Sequence, residues 1–229
     1  MAGQQALPYP IRKNRSKNLE TLKVEGHGKN WRRFGGHYDN SKYPPYKWDE
    51  SGEVFVFSTE GIPDTTKNNV IKVVNKFIND FHLPLRCEDG DTKEERSYLL
   101  ELLEDSVTAR GIKKEIDFDK LNIELTRIRH ECKRLTYGII LIVDERKYEF
   151  LSTKGEEPAI YGCGSGYGLT ILRVTHPKAV VHEFAHMCGL GYHHGEGSTP
   201  PNRNCTMNWV YPTEKFCEYC KNRLKEIWA

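Results

Sequence analysis

His182, Glu183 and His186 stand in the pattern His-Glu-x-x-His. On a helix, positions i and i+4 share one face, so both imidazoles reach a single Zn²⁺ at about 2.0–2.1 Å. Glu183 lies beside the pair, where a carboxylate takes a proton from an activated water. The same five-residue pattern also arises by chance among surface polar residues. Here Val180, Val181, Phe184 and Ala185 make the segment largely apolar, and polar groups on a buried helix need partners. Pro177 suits a first helical turn, which places the helix start at 175–176. Gly189 supplies a residue that turns the chain back where the helix stops.

After Gly189 come Leu190, Gly191, Tyr192, His193 and His194. A His-Glu-x-x-His-x-x-Gly run followed closely by a histidine is the arrangement of the metzincins, in which the glycine turn delivers a third ligand. The usual third-ligand position, three residues past the glycine, holds Tyr192, a poor zinc ligand when neutral. His193 is one residue later and is the preferred candidate, since Gly191 lets the backbone absorb an insertion. His194 is its rival, and an incomplete, water-filled site is the remaining alternative.

Cys217-Glu218-Tyr219-Cys220 is a C-x-x-C element, and two thiolates at that spacing take adjacent tetrahedral corners. Cys205 is the nearest upstream cysteine, and a histidine at 193 or 194 completes four donors. Successive side chains of an extended segment point opposite ways, so adjacent histidines can serve two metals. The structural alternative is three free thiols in a short C-terminal segment.

Taken together, these residues resemble the archaemetzincins, a metzincin family with a Cys-x-Met element and a downstream C-x-x-C. His182, Glu183, His186, Gly189, Cys205, Met207, Cys217 and Cys220 match that pattern. The likeness is specific over about residues 160–220 and only architectural over 53–150. It implies a catalytic zinc on three histidines, a Met-turn at Met207 beneath it, and a second, structural zinc on cysteines. Two departures stand out: the third histidine is displaced by one position, and the family's first structural cysteine is missing. One shift accounts for both, with His193 on the catalytic zinc and His194 in the cysteine's place beside Cys205, Cys217 and Cys220. The resemblance then implies a zinc-dependent peptidase with two Zn²⁺ per chain. In it Glu183 is the general base, Tyr211 is a candidate oxyanion stabiliser, and the strand over 169–174 is an edge that pairs with an extended peptide. Two other readings remain. One is a zinc-binding module with weak or latent catalysis that acts through partners. The other takes Glu214 as third ligand, against which Met207 and the glycine turn argue.

The elements that must position these residues begin near Glu53. Val54 to Phe57 form a β-prone run, followed by a helix capped at Asp64 or Thr65 with Val70, Val73, Val74, Phe77 and Phe81 on one face. Leu83-Pro84-Leu85 reads as extended, 93–109 and 118–135 as helices, and 138–144 as a strand buried on both faces. The glycine-rich stretch 161–168 leads into the strand at 169–174. This order predicts an α/β sandwich of the metzincin kind. Its sheet is mixed and mostly parallel, with an active-site helix and a small zinc-bound C-terminal subdomain.

The 229 residues suffice for one large domain, and the charged fraction of 29% fits a globular chain. Residues 1–48 hold ten Lys/Arg and three Asp/Glu, a net +7, while 49–229 carry −5. We read 1–48 as a basic arm, partly disordered or packed on the body, and 49–229 as the zinc peptidase domain. The body has no matching basic excess, so no nucleic-acid partner is expected. The longest aliphatic run is 139–143, far short of the ~20 residues that span a bilayer. The N-terminus has no apolar signal segment, and seven cysteines, an odd count, argue against a disulfide framework. The chain is therefore expected to be a cytoplasmic monomer whose partner is a peptide or protein substrate. Cys87, Cys132 and Cys188 are expected to be buried, Cys163 a free thiol, and His27, His37, His82, His130 and His176 surface or capping residues.

Overall fold

A computed structural model describes residues 47–150, 161–191, 193, 194, 202, 204–208, 213 and 215–229. Most of the basic arm, with Trp31, Phe34 and its tyrosines, lies outside them, as do Tyr192, Tyr211, Glu214 and the loop at 195–201.

Valines and phenylalanines alternate in β1 (Glu53–Ser58), and a strand's period of two sends them to opposite faces. Val54 and Val56 join one core cluster, and Phe55 and Phe57 the other. The sheet is therefore covered on both sides, which is why its central strand β5 (Gly138–Ile142) is an unbroken buried aliphatic run. The strand order is β2-β1-β5-β8-β7, with β2 at Arg86–Asp89, β7 at Gly162–Ser165 and β8 at Leu169–Leu172. β1 pairs in parallel with β2 and β5, and β5 with β8; β7 runs antiparallel to β8. On one face lie α1 (Asp64–Asp80), α4 (Pro177–Met187) and α5 (Glu218–Trp228). On the other lie α2 (Arg96–Asp105) and α3 (Phe118–Cys132), through Leu99, Leu103, Leu121, Leu125 and Ile128. The fold is thus α/β with a mixed, mostly parallel sheet. Among the described residues no helix is long and apolar enough to cross a membrane.

Several local expectations are corrected. β8 has β5 on one side and β7 on the other, so 169–174 is not an edge; among the described residues β7 is. The extended piece after α1 is β2, which starts at Arg86, directly after Leu83–Leu85, whose leucines are buried at the helix exit. Asp64 is the first helical residue, after Pro63, and makes no capping bond. The expected helix over 93–109 covers only Arg96–Asp105. Val107–Arg110 (β3) turns at Gly111, φ +61°, into Lys113–Ile116 (β4), and Tyr148–Phe150 (β6) completes a small second sheet. α3 stops at Cys132, which is exposed, because Lys133 and Leu135 take positive φ.

Two features tie Trp48 and the C-terminal helix to the core. Trp48 is buried, donates from Nε1 to Gly166 O at 3.1 Å and meets Trp228 edge-on at 6.2 Å. α5 adds Leu224 and Cys220, and the preceding loop Phe216, to the cluster that holds Phe77 and Phe184. The C-terminal segment therefore extends the main core.

Candidate metal centres

α4 starts where its sequence provides a cap: Pro177 occupies the first turn and His176 Nδ1 accepts the Lys178 N–H at 3.3 Å. Val180, Phe184 and Ala185 anchor the helix in the core. At its end Gly189 adopts φ +102°, and Leu190 N–H returns to Ala185 O at 3.0 Å. That reversal brings the Leu190 carbonyl to 2.6 Å from His186 Nδ1 and carries the chain on to His193.

His182, His186 and His193 converge. Their Nε2 atoms are 3.0 Å (182–193), 3.2 Å (186–193) and 3.3 Å (182–186) apart. Nitrogens at 2.0–2.1 Å from a shared tetrahedral centre stand about 3.3 Å apart, so the spacing fits one ion of zinc's size. The tautomers point the same way. His182 Nδ1 faces Thr206 O at 2.7 Å, and His186 Nδ1 faces Leu190 O. A carbonyl only accepts, so both Nδ1 atoms carry the proton and both Nε2 atoms present lone pairs. Two lone pairs at 3.3 Å repel unless a cation lies between them.

Glu183 is buried against β7. The Gly164 N–H bonds its carboxylate, while burial pushes the carboxyl up to about 8. A divalent cation on the neighbouring imidazoles draws that value down again. The contact leaves no room at β7: a Cβ on Gly162 would lie 2.9 Å from Glu183 Cγ, and one on Gly164 would lie 2.0 Å from Glu183 O. Gly164→Ala must therefore push β7 off α4. Overpacking costs roughly 1–3 kcal/mol, and a domain of this size loses about 2–4 °C in Tm per kcal/mol. We expect thermal unfolding to show a drop of several degrees; an unchanged Tm would refute the tight strand–helix contact.

His194, Cys205, Cys217 and Cys220 form a second group, with all donor atoms within 4.8 Å of one another. His194 Nε2 lies 3.2 Å from Cys217 Sγ and 3.3 Å from Cys220 Sγ, and Cys205 Sγ lies 3.7 Å from Cys220 Sγ. Thiolates at about 2.3 Å from a tetrahedral centre are about 3.8 Å apart, whereas a disulfide needs about 2.05 Å. The Cys205 thiol is held well below its usual range by the Cys220 thiol, with help from the Cys217 and Met207 amides. Its neighbour Cys220 is pushed up by that same thiolate. The bare cluster thus favours one thiolate and resists a second; a dication removes the conflict.

Met207 is fully buried in the core one residue after Thr206. Three backbone groups, the carbonyls of Leu190 and Thr206 and the amide of Gly164, orient His186, His182 and Glu183. No sequence pattern announces them, because main-chain atoms carry no residue signature. No family model matches the chain, and neither a curated protein nor a solved structure is similar enough to count as its relative.

Proposed function

We propose that the chain is a zinc-dependent peptidase of the metzincin kind, with a catalytic Zn²⁺ on His182, His186 and His193 and a structural Zn²⁺ on His194, Cys205, Cys217 and Cys220. The observation that carries this reading is the convergence of three imidazole nitrogens at tetrahedral spacing on the helix that bears the buried Glu183. The mixed imidazole and thiolate donors suit zinc better than the oxygen-seeking Mg²⁺ or Ca²⁺. Zinc on the three histidines supplies Lewis acidity, which acidifies water and polarises a carbonyl.

The chain's own residues do the rest. Glu183 accepts the proton of the attacking water and returns it to the leaving nitrogen as the C–N bond breaks. The Gly164 amide keeps its carboxylate aimed. The Thr206 and Leu190 carbonyls keep His182 and His186 in the tautomer that presents Nε2. Met207 forms an apolar floor next to Thr206. The substrate is an extended peptide laid along β7. Among the described residues this strand has β8 on one side and no strand on the other. The Tyr161 carbonyl just before β7 faces β8, accepting from Arg173 and Val174, so the backbone groups of Gly162 and Gly164 alternate outward; with the Gly164 N–H held by Glu183, Gly162 and the Gly164 carbonyl are left to pair with the peptide. None of the seven cysteines forms a disulfide, which suits a reducing compartment such as the cytoplasm.

Zinc-loaded protein incubated with a diverse peptide mixture tests this, with cleavage read by mass spectrometry. We expect new termini that vanish with a chelator and return with zinc. Protein carrying two zinc ions that cuts nothing in the mixture would support the non-catalytic binding module instead.

A further inference from the structure

Two pairs of adjacent residues straddle the two metal groups. His193 belongs to the three-histidine group and His194 to the cysteine group. Cys205 is a donor of the second group, and the carbonyl of the next residue, Thr206, holds His182 of the first at 2.7 Å. The pairs are tied to each other, since His194 N–H donates to Met207 O at 3.0 Å. The turn is then fastened to the segment that carries Cys217. Thr206 N–H donates to Lys215 O at 2.8 Å, Thr206 Oγ1 to Thr213 O at 2.9 Å, and Cys217 N–H to Cys205 Sγ at 3.3 Å. Among the described residues, none between α4 and α5 lies in a helix or strand. The described residues around His193, His194 and Cys205 therefore have no helix or strand to hold them, and ordering such chain costs conformational entropy.

We infer that the cysteine group governs metal affinity at the three-histidine group, with Thr206 as the positioning residue between them. This rests on the reading of both groups as metal sites. An ion on His194, Cys205, Cys217 and Cys220 fixes the 205–207 turn and the 193–194 peptide together. His193 is then in place, and the Thr206 carbonyl is set against His182 before the second ion arrives. That ion binds to ligands already ordered, which is positive coupling without any shared ligand. The coupling is reciprocal by thermodynamic necessity, so filling the histidine group strengthens the cysteine group by the same factor.

Cobalt(II) titration of the full-length chain tests this without any assay of activity. The thiolate group reports through its sulfur-to-cobalt charge-transfer band, and the three-histidine group through ligand-field bands alone. In Cys220→Ser we expect cobalt at the histidine group to bind about 5- to 150-fold more weakly than in the wild type with its thiolate group filled, the usual range for coupled sites. In His186→Ala we expect the thiolate group to weaken by the same factor. Thr206→Val touches no metal-binding side chain and loses only the bond to Thr213. It should weaken cobalt binding at the histidine group, and Thr206→Ser should restore it. Should circular dichroism show Cys220→Ser unfolded, His186→Ala and Thr206→Val decide the matter. Unchanged affinities at the remaining group in these variants overturn the coupling alone. A wild-type chain that binds no cobalt at either group overturns the metal reading, and the coupling with it.

Discussion

If the chain is the zinc peptidase proposed above, Glu183→Gln is expected to retain both metal ions and to lose peptide hydrolysis by about 10²- to 10⁴-fold, the usual contribution of a positioned acid–base group. The substitution is nearly isosteric, so the close fit against Gly162 and Gly164 survives. The amide still accepts the Gly164 N–H through its oxygen, so β7 stays seated on α4. What it lacks is a site that takes a proton from water at neutral pH. None of the imidazoles that form the metal group is altered. Metal content by elemental analysis and turnover of a cleaved peptide, measured on the same preparation, separate the two effects. Turnover at the wild-type rate would overturn Glu183 as the base. Loss of the histidine-site metal would mean that the variant reports on assembly and not on proton transfer.

The parts of this molecule that were legible in its residues are those where side-chain type and period coincide. β5 reads as a buried strand because the aliphatic run 139–143 has no polar face to turn outward. α4 reads as a helix because Pro177, the apolar stripe and Gly189 mark its start, face and end. The donor residues read as groups that could hold a metal because histidine and cysteine are rarely clustered for packing alone, and the fold brings each group together. What was not legible depends on pairing between distant segments. The sequence of β8 says it is buried but not that β7 lies outside it, and β7, as Gly-Cys-Gly-Ser, has almost no strand propensity. It pairs because its glycines are the residues that fit against Glu183. The β3–β4 hairpin hid inside a helical pattern for a similar reason. Lys113–Ile116 is charged and short, and its strand state comes from partners at Val107–Arg110 and Tyr148–Phe150.

Removing the metals is expected to split the molecule into a part that holds and a part that loosens. β1, β2, β5 and β8 contribute no residue to either donor group, so burial at about 25 cal/mol per Å² keeps the sheet folded. The segment from Cys188 to Cys217 is different, since among its described residues there is no helix or strand, and the two donor groups anchor it beside the core contacts of Leu190, Met207 and Phe216. A site filled at 1,000 times its Kd stabilises the folded state by about 4 kcal/mol. At about 2–4 °C per kcal/mol, losing one such site should lower the Tm by roughly 8–16 °C, and chelation, which empties both, should lower it further. Cys217→Ser, with one zinc ion fewer per chain, should show the one-site drop. The same samples in hydrogen exchange should lose protection at Thr206 and Asn208, whose amides donate to Lys215 O and Cys205 O. Protection at Val56 and Ile140, inside the parallel sheet, should persist. Loss of protection everywhere at once would show that the metals stabilise the whole domain. An unchanged Tm, with protection kept at Thr206, would show that the cysteine group is not a structural metal site.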